Sequence, residues 1–564
     1  MAPRASVPAP RFDLGQTLQD GLRLHREGRL HDAEKLYARA LKAAPDNFDA
    51  LNLLGAIKAQ TGKMGEALRL LTAAVKVNPG AADALVNLAN VLHALKRDAE
   101  ALDCLDKALR LNPHDTQTQL NRASALLSMK RPQDALASLD MVLAREPQNA
   151  AALLNHGVAK AELGHHADAL GDLNAALRLA PGNPTLLYNR GSAFLHLGKP
   201  AEALADLDRA VAALPDHRLA WNNRGRALEM LNRHDEAAAS FGKAIAIDKD
   251  YADAHFNLSL ALLALGKLEQ GFGEYEWRWK RSGVTDRRRG YGRPLWLGEY
   301  PLARKTILLH AEQGLGDTIQ FARYASMLAN TGARVVLEVQ AELKSLFANM
   351  PGIASCHARG EPLPAYDVQC PLGSLPLALK TTAETVPAPI PYVTADPERM
   401  AKWRPAIDKL PGKRVALTWA GHAHHVNDMN RSIPLETLEP LLAQPGISFV
   451  SVQHELRETD GEILARHPQA TNLGTQFTDM ADTAAVLSLV DLVIAVDTSV
   501  AHLAAAMGHP TWVLQPFTPD WRWTLTGARS PWYPQARLFR QPAIGDWSAV
   551  VANLRDALID SAKF

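Results

Sequence analysis

The segment DLVIAVDTSVAHLAAAMGHP carries the sharpest chemical signal in the chain. An apolar run, Leu492 to Val496, reads as a buried strand. It passes into Asp497-Thr498-Ser499 and then into a helix that Gly508-His509-Pro510 stops. Asp, Thr or Ser at a helix start caps free N–H groups. The same start offers amides and the positive end of the helix dipole to an anion, typically a phosphate. His502 follows Thr498 at helical spacing and falls on the same face. A capped helix with a packed histidine competes with a phosphate grip. The position of the turn, where α/β folds put ligands, favours the grip.

A second loop is HAEQGLGDTIQFARY. Gly314 and Gly316 permit a tight turn that brings backbone close to a ligand. They do not make a full dinucleotide fingerprint. Asp317 here is a natural cap for the amphipathic helix that follows. A third is WAGHAHHVNDMNRSIPLE, with His422, His424 and His425. Alternate histidines on a loop without an acidic or cysteine partner make a poor metal set, and no metal is expected. Asp-x-Asp pairs occur only at Asp206/Asp208 and Asp248/Asp250 and read as surface acids. In the tail, Trp521, Trp523, Trp532 and Tyr533 could stack on a base or sugar. They could equally pack the closing helix between two units.

These loops need a scaffold. TILLHAE, ARVVLEVQ and YDVQC read as short buried strands, with helices at DTIQFARYASMLANTG and AELKSLFANM. PAPIPYV and ADPERMAKWRPAIDKLPGK serve as a connector. A second unit runs through RVALTWAG, ISFVSVQ, DLVIAVD and TWVLQP, and a helix near Ser548 to Lys563 closes the chain. Two successive α/β units predict a cleft where a ligand meets the carboxyl ends of both sheets.

Upstream, proline returns at Pro45, Pro79, Pro113, Pro147, Pro181 and Pro215, and alanine in step at Ala33, Ala67, Ala101, Ala135, Ala169, Ala203 and Ala237. A small slot holds Gly21, Gly55, Ala89, Ala123, Gly157, Gly191 and Gly225, and a bulky one Tyr37, Leu71, Leu105, Leu139, Leu173, Leu207 and Phe241. A fixed period in this range marks a solenoid of helix pairs, a surface for gripping another macromolecule. The pattern runs from Leu14 to Arg281, degrades at the unit with Lys249 in the proline slot, and ends in a capping helix near GFGEYEWRWKR. Asn87, Asn121, Asn155, Asn189, Asn223 and Asn257 also recur. On an inner wall their amides could bond the backbone of an extended peptide, a protein acceptor. The competing role is bridging neighbouring helices.

The remaining expectations are a disordered leader over 1–13 and a linker over 282–303, which includes Arg287, Arg288 and Arg289. The α/β halves then fall at 304–400 and 401–564. Trp277, Trp279 and Trp296 are expected to join scaffold to α/β module. With 47% hydrophobic and 21% charged residues and a net charge of +1, nothing points to nucleic acid or an anionic membrane. Cys104, Cys356 and Cys370 have no metal or disulfide spacing, which fits a reducing compartment. No apolar run nears the length of a membrane span. The expected location is cytoplasmic.

The repeats resemble the tetratricopeptide repeat. Asp497-Thr498, His502 and the following Leu-Ala-Ala-Ala-x-Gly-x-Pro resemble the nucleotide-sugar site of the bacterial heptosyltransferase group of GT-B glycosyltransferases. Ser499 stands where that group has glycine. The resemblance implies that Asp497, Thr498, Ser499 and His502 hold the donor, with Gly316 and Gln453 beside them. It implies that Asp317, matching a Gly-Asp pair, is the base that activates the acceptor hydroxyl, with Glu312 as its rival. It also implies a basic residue against donor phosphate. Arg431 is the choice, since a guanidinium can bind phosphate bidentately. GT-B enzymes generally need no metal. The composite resembles bacterial repeat–GT-B fusions, some of which glycosylate flagellins. The expected function is transfer of a sugar to a Ser/Thr hydroxyl of a protein held by the repeats. Transfer to a lipid-linked or free glycan, and an inactive scaffold, are the alternatives.

Overall fold

The computed structural model describes residues 12–281, 290–387, 390–424 and 427–561. The expected leader as far as residue 11, Arg287 to Arg289 and His425 lie outside that set. The chain divides into two compact units, Met1–Pro215 and Asp216–Phe564. This boundary falls inside the repeat array rather than at its end.

The first unit is six helix pairs, from α1 (Leu14–Arg26) and α2 (Leu30–Ala43) through α3 (Phe48–Gln60), α4 (Met64–Val77), α5 (Ala82–Ala94), α6 (Asp98–Leu111), α7 (Thr116–Ser128), α8 (Pro132–Arg145), α9 (Ala150–Glu162) and α10 (His166–Leu179) to α11 (Pro184–His196) and α12 (Pro200–Ala213). The small slot exists because the two helices of a pair touch there. A Cβ on Gly21 would stand 2.6 Å from the Tyr37 ring, and one on Gly191 2.8 Å from Leu207 Cγ. The slot holds alanine only at Ala89 and Ala123, whose bulky partners are leucines; the aromatics Tyr37 and Phe241 face glycine.

Three of the six repeating asparagines, Asn87, Asn121 and Asn257, bond neighbouring helices. Asn87 Nδ2 donates to Asn52 (3.0 Å) and Asn121 to Asn90 (2.8 Å). Asn189 donates to its own helix at Thr185 O, 2.8 Å away. The next position along carries a second ladder, with arginine at Arg122, Arg190 and Arg224 and histidine at His156. Arg122 donates to Asp106 and Ser138, sixteen residues to either side. His156 lies between Asp140 and Asp172, at 3.3 and 2.9 Å. Arg190 forks onto Asp206 at 2.6 and 2.7 Å. Asp206 is therefore not a surface acid: it is 4% exposed because it neutralises a guanidinium in the seam between helices.

The second unit opens with α13 (Arg218–Met230), α14 (His234–Ile247), α15 (Ala252–Ala264) and α16 (Leu268–Tyr275), which continues as a 3-10 turn over Glu276–Lys280. A parallel four-stranded sheet follows: β1 (Thr306–His310), β2 (Arg334–Val339), β3 (Ile353–Ala358) and β4 (Val368–Pro371), in the order β3-β2-β1-β4. Helices α17 (Leu315–Asn330) and α18 (Ala341–Phe347) cross between strands, and α19 (Leu375–Ala378) follows β4. The connector contains helix α20 (Pro397–Ile407).

The second sheet has six parallel strands, β5 (Lys413–Thr418), β6 (Ile447–Ser451), β7 (Ala470–Asn472), β8 (Leu492–Val496), β9 (Thr511–Gln515) and β10 (Ala536–Arg540), in the order β10-β9-β8-β5-β6-β7. This is the doubly wound dinucleotide-binding order, reversing between its first and fourth strands. Helices α21 (Asp428–Arg431), α22 (Leu435–Leu442), α23 (Asp460–Arg466), α24 (Met480–Leu487), α25 (Ser499–Ala506) and α26 (Trp547–Ser561) complete it.

The architecture is the expected one: tetratricopeptide-type helix pairs, then a GT-B-like α/β module of two parallel sheets. One hydrophobic core joins Leu263, Phe272 and Tyr275 of the last repeat to Ile307, Phe321, Trp521 and Trp532. Trp296 belongs to that core, whereas Trp277 stacks on His255 within the repeats at 3.8 Å. Among the described residues no helix is long and apolar enough to cross a membrane.

Candidate functional site

The carboxyl ends of β5 and β8 flank the point where the second sheet reverses its order. The chain leaves β8 through Asp497 and Thr498 into α25. Thr498 occupies the N-cap position, but no side chain caps the helix; its Oγ1 donates instead to Val496 O at 3.3 Å. The expected Asp/Thr/Ser cap is thus absent, and the first amides of α25 keep their capacity for an anion.

Opposite them, the loop after β5 brings in Arg431. Several bonds shape that loop. Gln453 Oε1 accepts from Thr418 Oγ1 (2.8 Å), Trp419 N (3.3 Å) and Ala420 N (3.2 Å). Gly421 N donates to Ser432 Oγ (3.0 Å), which in turn donates to Asp428 (2.6 Å). Trp419 Nε1 donates to Asp460 at 3.1 Å. Gly421 has no Cβ because one would run into the Arg431 guanidinium. Arg431 Nη1 donates to Asp497 O (3.2 Å), while its buried Nε has no partner among the described residues. Gln453, expected beside the donor, spends its side-chain amide on this loop and is 5% exposed.

The two halves meet at helix N-termini. A Cβ on Gly316 would stand 2.9 Å from His502 Cδ2 and 3.6 Å from Ser499 Cα, so glycine lets α17 and α25 close on each other. Asp317 accepts from Gly314 N at 3.0 Å, which is a capping bond, and its other oxygen pairs with Arg522. Arg522 also forks onto Asp520 at 2.9 Å. Trp523 Nε1 donates to Asp497 at 2.7 Å. Burial, with Asp520 nearby, pushes the Asp497 carboxyl up. His502 meets Tyr533 Oη through Nδ1 at 3.1 Å; burial and then Arg522 press its ring well below the usual range, so it stays neutral. The tail aromatics Trp521, Trp523, Trp532 and Tyr533 are all buried packing groups rather than open stacking faces.

Glu312 lies elsewhere. It faces Arg278 of the 3-10 turn at 2.9 Å, and its side chain is 5% exposed. Burial pushes it up to about 7, opposed by that guanidinium. His422 and His424 stand on the exposed rim, with ring centres 5.3 Å apart. Among the described residues no group of three or more His, Cys, Asp or Glu could hold a metal ion.

The repeats touch this site from α13. Thr518 Oγ1 donates to Met230 O (2.9 Å), and Asn232 Nδ2 donates to Phe517 O (2.6 Å). Asn223 is 8% exposed here, and Asn257 donates to Asn222 at 3.0 Å. The backbone oxygen of Glu229 accepts from Asn232 N; the Glu229 side chain has no hydrogen bond or ion pair among the described residues. Burial first, and Asp520 as a like charge, push it up to about 7, against the pull of Arg226. A raised carboxyl gives stability that is present below its ordinary value and lost as pH rises through the raised one. Glu229→Gln should therefore stabilise the protein by on the order of 2 kcal/mol at pH 8 and by under about 1 kcal/mol at pH 5. Urea unfolding at the two pH values reads it; an equal effect at both sinks the assignment.

Arg522, Asp520 and Glu229 are not among the site residues expected from the sequence, and Trp523 is expected only as a stacking face. The one local signal is the Asp-Trp-Arg-Trp run, in which an arginine stands between large aromatics.

Four stretches, residues 19–68, 58–116, 120–184 and 188–252, match the tetratricopeptide repeat. Residues 442–543 match glycosyltransferase family 9 (heptosyltransferase). That stretch contains Asp497, Thr498, His502, Asp520 and Arg522; Asp317 and Arg431 lie outside it. The chain is 28% identical over 334 residues to Protein FlbA of Caulobacter vibrioides, covering 54% of this chain and 55% of that protein. The match thus spans about half the length of that curated relative. Among solved structures, a tetratricopeptide repeat protein from Parabacteroides merdae aligns at 21% identity and TM-score 0.38, over 44% of this chain and 98% of that one. YrrB, described as a TPR protein with an unusual peptide-binding site, aligns at 23% identity and TM-score 0.28, over 33% and 95%. The chain therefore joins tetratricopeptide repeats to a glycosyltransferase family 9 domain.

Proposed function

We propose that this protein is a glycosyltransferase that moves a sugar from a nucleotide-sugar donor to a Ser or Thr hydroxyl of a protein held by its repeats. The observation that carries the reading is the uncapped start of α25 facing Arg431, whose buried Nε has no partner among the described residues. A guanidinium and free helix amides at a switch point suit a diphosphate. In the proposed reaction the acceptor oxygen attacks the anomeric carbon, Asp317 takes its proton, and the bond to the donor phosphate breaks. Arg431 and the amides at the start of α25 meet the charge that grows on the departing diphosphate. No metal is required for that step. Thr498, Ser499, His502 and Asp497 shape the donor side. The half-buried Asn155 and Asn189 remain the proposed peptide contacts of the asparagine ladder. Flagellin is the acceptor implied by the resemblance of the whole composite, and the cytoplasm the proposed setting.

A melting screen against UDP, ADP, GDP and CMP tests the donor site. One nucleotide should raise the melting temperature, since a ligand at a hundredfold its Kd adds about 2.7 kcal/mol. Arg431→Ala should weaken that nucleotide by about 10–100-fold, the loss of a charge-assisted pair. If no nucleotide shifts the protein, or Arg431→Ala binds as well as the parent, the donor site is elsewhere.

A further inference from the structure

In an open α/β sheet the ligand crevice lies outside the strand ends where strand order reverses. The first sheet has such a place between β1 and β4, bounded by the loop holding Glu312 and Gln313 and the loop holding Gly373 and Ser374. It is already filled. The occupant is Arg278, from the 3-10 turn that ends the repeats, and it is 4% exposed. Its Nε and Nη2 fork onto Glu312 at 3.0 and 3.1 Å. Nη2 also donates to Ser374 Oγ at 2.7 Å, and Nη1 to Glu276 at 2.6 Å. The Tyr275 and Trp279 rings each lie 4.7 Å from its guanidinium carbon. Beside it, Tyr275 Oη and the Gln313 amide bond each other at 2.6–2.8 Å. The loops close tightly: a Cβ on Gly373 would run into Glu312.

A saccharide acceptor would need those same groups, a carboxylate, a hydroxyl and an amide, to bind its own hydroxyls. All are spent on the repeat array, and no sugar ring fits where Arg278 sits. A serine or threonine on a polypeptide needs only a hydroxymethyl-sized approach, and it can come from the α13 side, where Met230 and Asn232 touch the segment leading to Arg522. We propose that Arg278 is a tethered occupant of the first sheet's ligand crevice and sets acceptor class, excluding saccharides from it and leaving the polypeptide hydroxyl. This rests on the glycosyltransferase reading above.

The test compares full-length protein with Arg278→Ala, and with Arg278→Ala/Glu312→Ala, which also removes the buried Glu312 carboxylate should the single variant misfold. Each is given UDP-glucose, UDP-N-acetylglucosamine, GDP-mannose and CMP-N-acetylneuraminate. Free glucose, N-acetylglucosamine and lactose compete as acceptors with Ser/Thr-rich peptides, and products are read by mass. The parent should glycosylate no saccharide, and the variants should do so at least about tenfold above it. Methylguanidinium should raise the melting temperature of Arg278→Ala and suppress its saccharide product, with no effect on the parent. Saccharide transfer by the parent at the variants' rate, or no response of Arg278→Ala to methylguanidinium, overturns the proposal. If the parent releases nucleotide from none of the donors, the glycosyltransferase reading fails instead. The melting response to methylguanidinium then still decides whether Arg278 fills a ligand crevice.

Discussion

Replacing Asp317 by asparagine should lower turnover by about 10²–10⁴-fold and leave nucleotide affinity within about twofold. Asp317 stands in the first turn of α17, where Gly316 lets that helix close on α25. Its two oxygens are held by Gly314 N–H and by Arg522, so the carboxylate is aimed before any acceptor arrives. Asparagine keeps the shape and can keep the Gly314 bond, but it cannot take a proton. It also leaves Arg522, 8% exposed, with Asp520 as its remaining acid. A stability loss of about 1–3 kcal/mol should accompany the rate loss. A purely structural role would look different, with turnover falling only as far as melting and nucleotide binding fall. Kinetics with the nucleotide sugar picked by the screen, beside calorimetry with its nucleotide, separate the two. Unchanged turnover in Asp317→Asn would move the proton to another carboxyl, and Glu229, raised to about 7 by burial, is the next candidate.

The legible part of this molecule is what repeats or what lies continuous in the chain. The small slot and its bulky partner are locally coupled, and Gly21 against Tyr37 shows why the period is strict. The run Leu492 to Val496 is a central strand buried on both faces, so it reads without its neighbours. Three strands that the residue pattern does not announce, β3, β7 and β10, are all sheet edges. IASCHA, ATN and ARLFR have no long apolar run because one side of an edge strand meets solvent. The Asp317–Arg522 pair joins residues 205 apart, and no spacing announces it. The asparagine repeat reads as an outward ladder because polar residues default to the surface; the fold spends several of them on bonds between helices. The charged ladder beside it, Arg122, His156, Arg190 and Arg224, pairs with acids and serines sixteen residues away, which the position alone does not announce.

Arg323→Met should cost about 3–5 kcal/mol, from three stranded carbonyl oxygens at about 1–3 kcal/mol each, less some relaxation. Arg323 lies on α17, is 0% exposed, and pairs with no carboxylate among the described residues. Its guanidinium donates to Gln320 O (2.9 Å), Pro387 O (3.2 Å), Trp532 O (2.9 Å) and Tyr392 Oη (3.2 Å). The rings of Tyr392, Trp532 and Tyr533 surround it at 4.7–5.4 Å. One side chain thus rivets the first α/β half, the connector and the second half. A buried charge is itself costly, and replacing a buried ion pair by apolar groups can be neutral or stabilising. That outcome requires both partners to be replaced. Here the acceptors are mostly backbone carbonyls that remain, so the unsatisfied oxygens outweigh the relief of removing the charge. Arg323→Lys should recover only part of the loss, because an ammonium cannot span the same four acceptors. Urea unfolding followed by tryptophan fluorescence reads the effect, since Trp523 and Trp532 are buried in the same core. Parent-like stability in Arg323→Met would mean that the three segments are held by apolar packing alone.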